Sequence, residues 1–190
     1  MAGAKDLVLR PIDRHEADEL VQRVHYSGKV VNNSQVHIGV FWHGRLEGAM
    51  QFGPSLDKRK TVQLVAGTAW NGFLELNRMA FTEALPRNSE SRALAVAMRL
   101  LRRHAPHVRW VISFADATQS GDGTIYRAAG FVLTGIKRNT QVWVGPDGEG
   151  SARESRTALT DQRSARQKRL AAQVVSRGTP EKCGRTKQRK

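Results

Sequence analysis

Seven residues, 108–114, read VRWVISF and carry a single charge. A near-continuous apolar run of that length, rich in β-branched and aromatic residues, is the pattern of a strand covered on both faces. Such a strand needs helices on either side of its sheet, and the neighbouring segments supply them. From Ser89 onward, Ala93, Val96, Ala97, Leu100, Leu101 and His104 recur on one helical face, while Arg92, Arg99, Arg102 and Arg103 lie elsewhere. Near the start, residues 7–12 (LVLRPI) read as a strand. Asp13 with Glu16 three residues on forms a capping-box pattern, and Ala17, Leu20, Val21 and Val24 carry a helix to about His25. Residues 37–42 and 46–52 are strands joined by a tight turn at His43-Gly44-Arg45. Residues 54–72 are an irregular insert, 73–81 (FLELNRMAF) a strand, and 124–129 a short helix closed by Gly130. Residues 131–137 and 140–144 are the last two strands. The order is β-α-β-β-β-α-β-α-β-β, without internal repeats. It predicts an α/β (α+β) fold: a mixed central sheet of about six to seven strands flanked by helices.

Charge bears on partners. The chain of 190 residues has a formal net charge of +14, which points to a polyanion such as DNA or RNA. From residue 151 to the end there are 12 basic and 3 acidic residues, about two thirds of the surplus. That stretch has no aromatic residue and few large apolar ones. Its composition predicts a basic tail that is disordered, or helical in part around 160–175 on nucleic acid, appended to a domain of residues 1–150. No apolar run approaches the roughly 20 residues of a membrane helix. The N-terminus lacks the plan of a signal peptide. The single cysteine, Cys183, provides neither an intramolecular disulfide nor a cysteine-rich metal site. These features predict an intracellular, cytoplasmic protein.

The corner HYSGKVVNNS, residues 25–34, follows the first helix with a histidine, hydroxyls and amides in one place. Taken with IYRAAGF at 125–131, the element order resembles the GNAT acyltransferase superfamily, in which a tyrosine of this last short helix often sits by the leaving thiolate of coenzyme A. The segments HYSGKVVNNS, GRLEGAMQFGPSLDKRK, ELNRMAF, NSESRA, SFAD and GDGTIYRAAGF, in this order and spacing over about residues 20–145, together resemble the phage Mom family. That resemblance implies a DNA-modifying transferase that converts adenine to N6-(carbamoylmethyl)adenine and so shields DNA from restriction. The partner it implies is double-stranded DNA with the adenine flipped out. The GNAT glycine loop before the long helix is missing: residues 84–92 read ALPRNSESR. The helix N-terminus and Arg87, Ser89, Ser91 and Arg92 remain as donor-binding candidates, but the close backbone approach that glycine permits is absent.

The carbamoylmethyl product excludes simple acetylation, which leaves a carbonyl on the adenine nitrogen. Transfer of a glycyl group, with glycyl-tRNA as the favoured donor, followed by rearrangement gives the product. A metal-dependent or radical route from acetyl-coenzyme A is the alternative chemistry. Iron enters through the family alone, because no ligand set stands in the sequence; His104 and His107 lack a carboxylate or cysteine companion, and no metal site is assigned. His25 is the candidate base near pH 7, against a histidine that only meets the helix dipole. Asp116, ending VRWVISFAD, would orient a base or hold the adenine edge, or merely cap a turn. Tyr126 would protonate a leaving group or bind the donor carbonyl, or is a core aromatic packed with Phe131. Arg78 would contact donor or DNA phosphate, or pair with Glu75 or Asp116. Tyr26, Ser27, Asn33, Ser34, Asn77 and Ser113 would line the pocket. Lys58, Arg59 and Lys60 would form a phosphate-contacting loop, or a solvated face. Two other readings stand beside this one: an acetyl-coenzyme A-dependent N-acetyltransferase of a small amine or protein, and a non-catalytic nucleic-acid-binding protein. The sequence specifies neither monomer nor dimer.

Overall fold

A computed structural model describes residues 3–116, 122–139 and 169–176. In chain order its elements are β1 (Val8–Pro11), α1 (Arg14–Val24), β2 (Val36–Trp42), β3 (Arg45–Gly53), α2 (Lys58–Thr61), β4 (Phe73–Phe81), α3 (Ser89–His104), β5 (Trp110–Asp116), α4 (Thr124–Ala128), β6 (Phe131–Asn139) and β7 (Arg169–Ser176). The strands form one seven-stranded sheet in the order β1-β2-β3-β4-β5-β7-β6. All described pairings are antiparallel except β4 with β5, which are parallel and joined through α3. A parallel pair requires such a crossover, and this one places α3 on one face.

That face holds the main core. Ala93, Leu94, Ala97 and Leu101 of α3 pack on Ile38, Val40, Met50, Phe52, Leu76 and Val111. Burying a side chain the size of Leu94, which has no exposed surface, contributes about 1.5–3 kcal/mol. On the other face Ala17 and Leu20 of α1 meet Ala49. Beside them Phe73 stacks on Trp110 at 4.5 Å, covered by Val62 of the insert. The start of α1 follows its sequence pattern, with the Asp13 N–H donating to Glu16 Oε2 at 3.2 Å. Among the described residues no helix is long and apolar enough to cross a membrane.

Two features differ from the sequence reading, while the strand expected at 140–144 lies outside the described residues. The place beside β5 is taken by Arg169–Ser176, which pairs with β5 on one side and β6 on the other. Disorder or helix through 160–175 therefore does not hold for this stretch. LAAQVV, at 170–175, is a local apolar run that the composition of the whole tail conceals, and the backbone groups along the open side of β5 need a hydrogen-bonded partner. The sheet thus draws a strand from beyond residue 150. Finally, Lys58, Arg59 and Lys60 are not a loop but most of the single helical turn α2, capped by Asp57, whose side chain accepts from the Lys60 N–H.

β4 and β5 pair over only three positions, Phe73↔Trp110, Leu74↔Val111 and Glu75↔Ile112. Beyond them β4 continues beside β3 and β5 beside β7. The pairing of β4 with β5 ends there.

Candidate active site

α1 ends at His25, whose backbone turns extended after its N–H donates to Val21 O. Gly28, at φ +57°, closes the following turn by donating its N–H to His25 O at 2.8 Å; only a residue without a Cβ takes that conformation freely. The turn wraps the imidazole. The Ser27 N–H donates to His25 Nδ1 at 3.1 Å, and Ser27 Oγ lies 2.9 Å from the same nitrogen. Tyr26 lies against the ring at a centroid distance of 4.3 Å. Because a backbone N–H can only donate, Nδ1 is an acceptor and the neutral ring carries its hydrogen on Nε2. Burial first, and then the charge of Arg78, lower the His25 pKa to about 4. The expected base near pH 7 is therefore a neutral imidazole, weakly basic, with its acceptor nitrogen engaged and an Nε2–H to offer.

Arg78 holds the corner to the sheet. Its Nε donates to Lys29 O at 2.8 Å and its Nη1 to Asn77 O at 2.7 Å. It forms no ion pair with Glu75. Asn77 is an extra residue in β4, since Gln51 pairs with Arg78 and Phe52 with Leu76. Such a bulge re-aims side chains, and here Asn77 Oδ1 accepts from buried Ser34 Oγ at 3.2 Å. Asn33 Nδ2 donates to Pro54 O at 3.3 Å, joining the corner to the insert. Three chain segments converge on Gly53. A Cβ there would stand 2.6 Å from Asn33 O, 2.7 Å from Asn77 Oδ1 and 2.9 Å from Ser34 Cα. Two of those atoms are backbone and cannot swing away. Gly53→Ala is therefore expected to cost about 1–3 kcal/mol and to displace the Asn33–Ser34 strand entry. Denaturant melts with amide exchange at residues 33–35 check this.

Tyr126 and Ser113 belong to the opposite face. Tyr126, on α4, packs on the α3 core edge-on to Phe131 at 5.7 Å. Its hydroxyl bonds Ser113, and burial raises its pKa, so the phenol stays protonated at neutral pH. Asp116 is the last residue of β5, in register with Ala171 of β7. Among the described residues no hydrogen bond joins the His25 group to the Tyr126 group. At the start of α3, Ser89 is buried and donates its hydroxyl to Pro86 O, and Ser91 donates to Asn88 O. Neither hydroxyl is spare for a donor phosphate, while Arg87 and Arg92 are exposed. Asn88 takes the left-handed conformation at φ +68° that a glycine would adopt without strain.

Glu75, weighed from sequence only as a partner for Arg78, has a different place. It accepts hydrogen bonds from Ser55, Asn77 and the Leu56 backbone, and burial raises its pKa. A single acidic residue in a strand gives no sequence signal for this; the partners come from the insert and the bulge. Among the described residues no three His, Cys, Asp or Glu side chains gather as metal ligands, so no step is derived through iron.

His25 sets a pH dependence. Its folded pKa, about 4, lies below the ordinary 6.5. Between those values the unfolded chain binds the proton and the folded chain does not. The His25 contribution to stability is complete above 6.5 and is lost as pH falls through about 4. NMR titration of the His25 ring should place its midpoint near 4, and Arg78→Gln should raise it.

The Mom protein family model matches residues 6–187. The methylcarbamoylase mom of Escherichia phage Mu is 39% identical over 138 residues, 73% of this chain and 57% of that protein. The chain thus aligns with little more than half the length of this relative. Among solved structures, the ribosomal-protein-S18-alanine N-acetyltransferase of Escherichia coli superposes with a TM-score of 0.56 at 14% identity, over 93% of this chain and 97% of that one. A GNAT family acetyltransferase of Elizabethkingia anophelis with acetyl-CoA bound gives 0.52 at 10% identity, over 90% and 98%. These two share the fold. With the family match spanning nearly the whole sequence, the chain belongs to the Mom protein family.

Proposed function

We propose that this protein is a DNA-modifying transferase that builds N6-(carbamoylmethyl)adenine from an activated glycyl donor, glycyl-tRNA in the favoured case. The observation that carries the reading is the His25 corner: a neutral imidazole with Nδ1 engaged and no hydrogen bond from Nε2–H among the described residues, beside the Arg78 guanidinium, in a chain of the Mom family. Its net charge of +14 suits a polyanionic substrate.

The adenine leaves the stack to expose its exocyclic nitrogen. N6 attacks the glycyl carbonyl carbon, and negative charge develops on the carbonyl oxygen. The Nε2–H of His25 donates to that oxygen, with the field of Arg78 behind it; a preorganised donor in a water-poor site is worth more than the same donor in water. The ester oxygen of the donor leaves with a proton from Tyr126, and the proton that N6 gives up in forming the amide returns to the Tyr126 oxygen. The glycyl amine of the N6-glycyl intermediate then attacks C6 and closes a five-membered ring. The original C6–N6 bond breaks, and N6 takes the proton that the amine releases. The product is an isomer of the intermediate, so no oxidant or reductant enters. Asp116, at the carboxyl end of β5, holds the amino edge of the adenine.

Cells expressing the chain and fed glycine labelled at nitrogen decide the route. Label in the ring-attached nitrogen of the modified deoxyadenosine supports it. Label in the terminal amide overturns the rearrangement. Unmodified DNA overturns the assignment, and thermal stabilisation by acetyl-coenzyme A would then favour the N-acetyltransferase reading, which rests on the fold.

A further inference from the structure

The insert between β3 and β4, residues 54–72, carries four of the ten exposed large hydrophobic side chains among the described residues: Leu56, Leu64, Val65 and Trp70. Leu56 is 96% exposed, the most of the ten. Exposed leucines scattered singly are ordinary, but this one stands on a fixed base. Ser55 before it is buried, with its Oγ 3.0 Å from the buried Thr61 Oγ1. Thr61 Oγ1 donates to Asp57 O at 2.8 Å. The half-buried Glu75 carboxylate accepts from Ser55 and from the Leu56 backbone. The main chain of Leu56 is thus tied into the sheet while its side chain projects wholly into water.

Its surroundings are net cationic, although Asp57 beside it pairs with Lys60 Nζ at 2.9 Å. Lys58, Arg59 and Lys60 follow within four residues on the turn α2. Lys58 Nζ sits over the Trp70 ring at 4.8 Å and donates to Asn71 Oδ1 at 2.9 Å. Arg59 is exposed and makes no ion pair among the described residues. The base that fixes Leu56 and the clamp that fixes the His25 corner are on one strand, Glu75 and Arg78, about 10 Å apart at the strand rise. Both groups lie on the face of the sheet that carries α1.

We propose that Leu56 is a wedge for duplex DNA, entering the base stack at the target and filling the space vacated by the extruded adenine, with Lys58, Arg59 and Lys60 on the flanking phosphates. An apolar side chain flanked by phosphate-binding cations is how proteins unstack a base step. The inference deepens the adenine-modification reading and rests on it.

The full chain is titrated by fluorescence anisotropy against an intact duplex, the same duplex with one abasic site, and the single strand. The wild type is expected to bind the abasic duplex about 10-fold more tightly than the intact one, because the extrusion cost is already met. Leu56→Ala should lose that preference with single-strand affinity unchanged, and Leu56→Met should keep it. A Leu56→Ala chain with the wild-type preference overturns the wedge, as does equal loss on all three DNAs. Nucleoside mass spectrometry of DNA from expressing cells separates the two readings. Modified deoxyadenosine with no Leu56 effect leaves the enzyme reading standing without the wedge. Unmodified DNA with a lost abasic preference leaves the wedge without that chemistry.

Discussion

His25→Ala is expected to slow adenine modification by about 10²–10³-fold, the loss that follows removal of one oxyanion donor, with duplex affinity unchanged. The sharper comparison is His25→Gln, whose side-chain amide can place an N–H near the position of Nε2. If the imidazole acts as a hydrogen-bond donor, the glutamine variant recovers part of the rate. If it acts as a general base, glutamine recovers nothing. With a pKa of about 4 and Nδ1 accepting from the Ser27 N–H, we expect a rate independent of His25 titration from about pH 5 to 8. Single-turnover modification of duplex DNA, quantified by nucleoside mass spectrometry across that range, reads both effects.

Truncation after residue 150 is expected to abolish cooperative folding. Judged by composition, such a cut only trims a basic tail. In the sheet it removes β7, which pairs with β5 over Ile112↔Val175 to Asp116↔Ala171 and with β6 from Phe131↔Ser176 to Asn139↔Arg169. Buried backbone groups left unpaired cost about 1–3 kcal/mol each, so a few of them match a whole domain stability of about 5–15 kcal/mol. Truncation after Ser176 is the control. It keeps β7 and removes Arg177, Lys182, Arg185, Lys187, Arg189 and Lys190. That chain should melt like the full one, while its salt dependence of DNA binding flattens by at most about 5 in log–log slope. Circular dichroism melts and salt-titrated anisotropy on the two truncations separate a folding role from a charge role. A soluble 1–150 chain with a full cooperative transition would remove β7 from the account.

How much of the site was legible follows from what each signal measures. The helix ending at His25 could be placed because Ala17, Leu20, Val21 and Val24 repeat at helical spacing, and the corner stood out by its hydroxyls and amides. The part played by Arg78 was not visible. Its partners, Lys29 O and Asn77 O, are main-chain carbonyls, one of them 49 positions away, and no residue type marks a carbonyl as an acceptor. Glu75 escaped for a similar reason, since Ser55 and Leu56 come to it through the path of the insert. Asn77 is singled out by a bulge, which is a register fact shared between two strands. Ser89 and Ser91 looked free to meet a donor phosphate, yet both hydroxyls turn back to carbonyls of their own turn.

By itself the sequence determined the order of helices and strands as far as β6, apart from the turn α2, together with the layered α/β class, the cationic surplus and the family, because periodicity, composition and motif spacing are carried by residues near one another along the chain. The tertiary structure alone decided that residues 169–176 complete the sheet, that β4 and β5 part after three pairs, and that Tyr126 packs with the α3 core while His25 sits at the end of α1. Those outcomes depend on which distant backbone satisfies an exposed strand and on which charge sits beside a half-buried ring. Both are energies of long-range pairs, and the linear order of residues does not contain them.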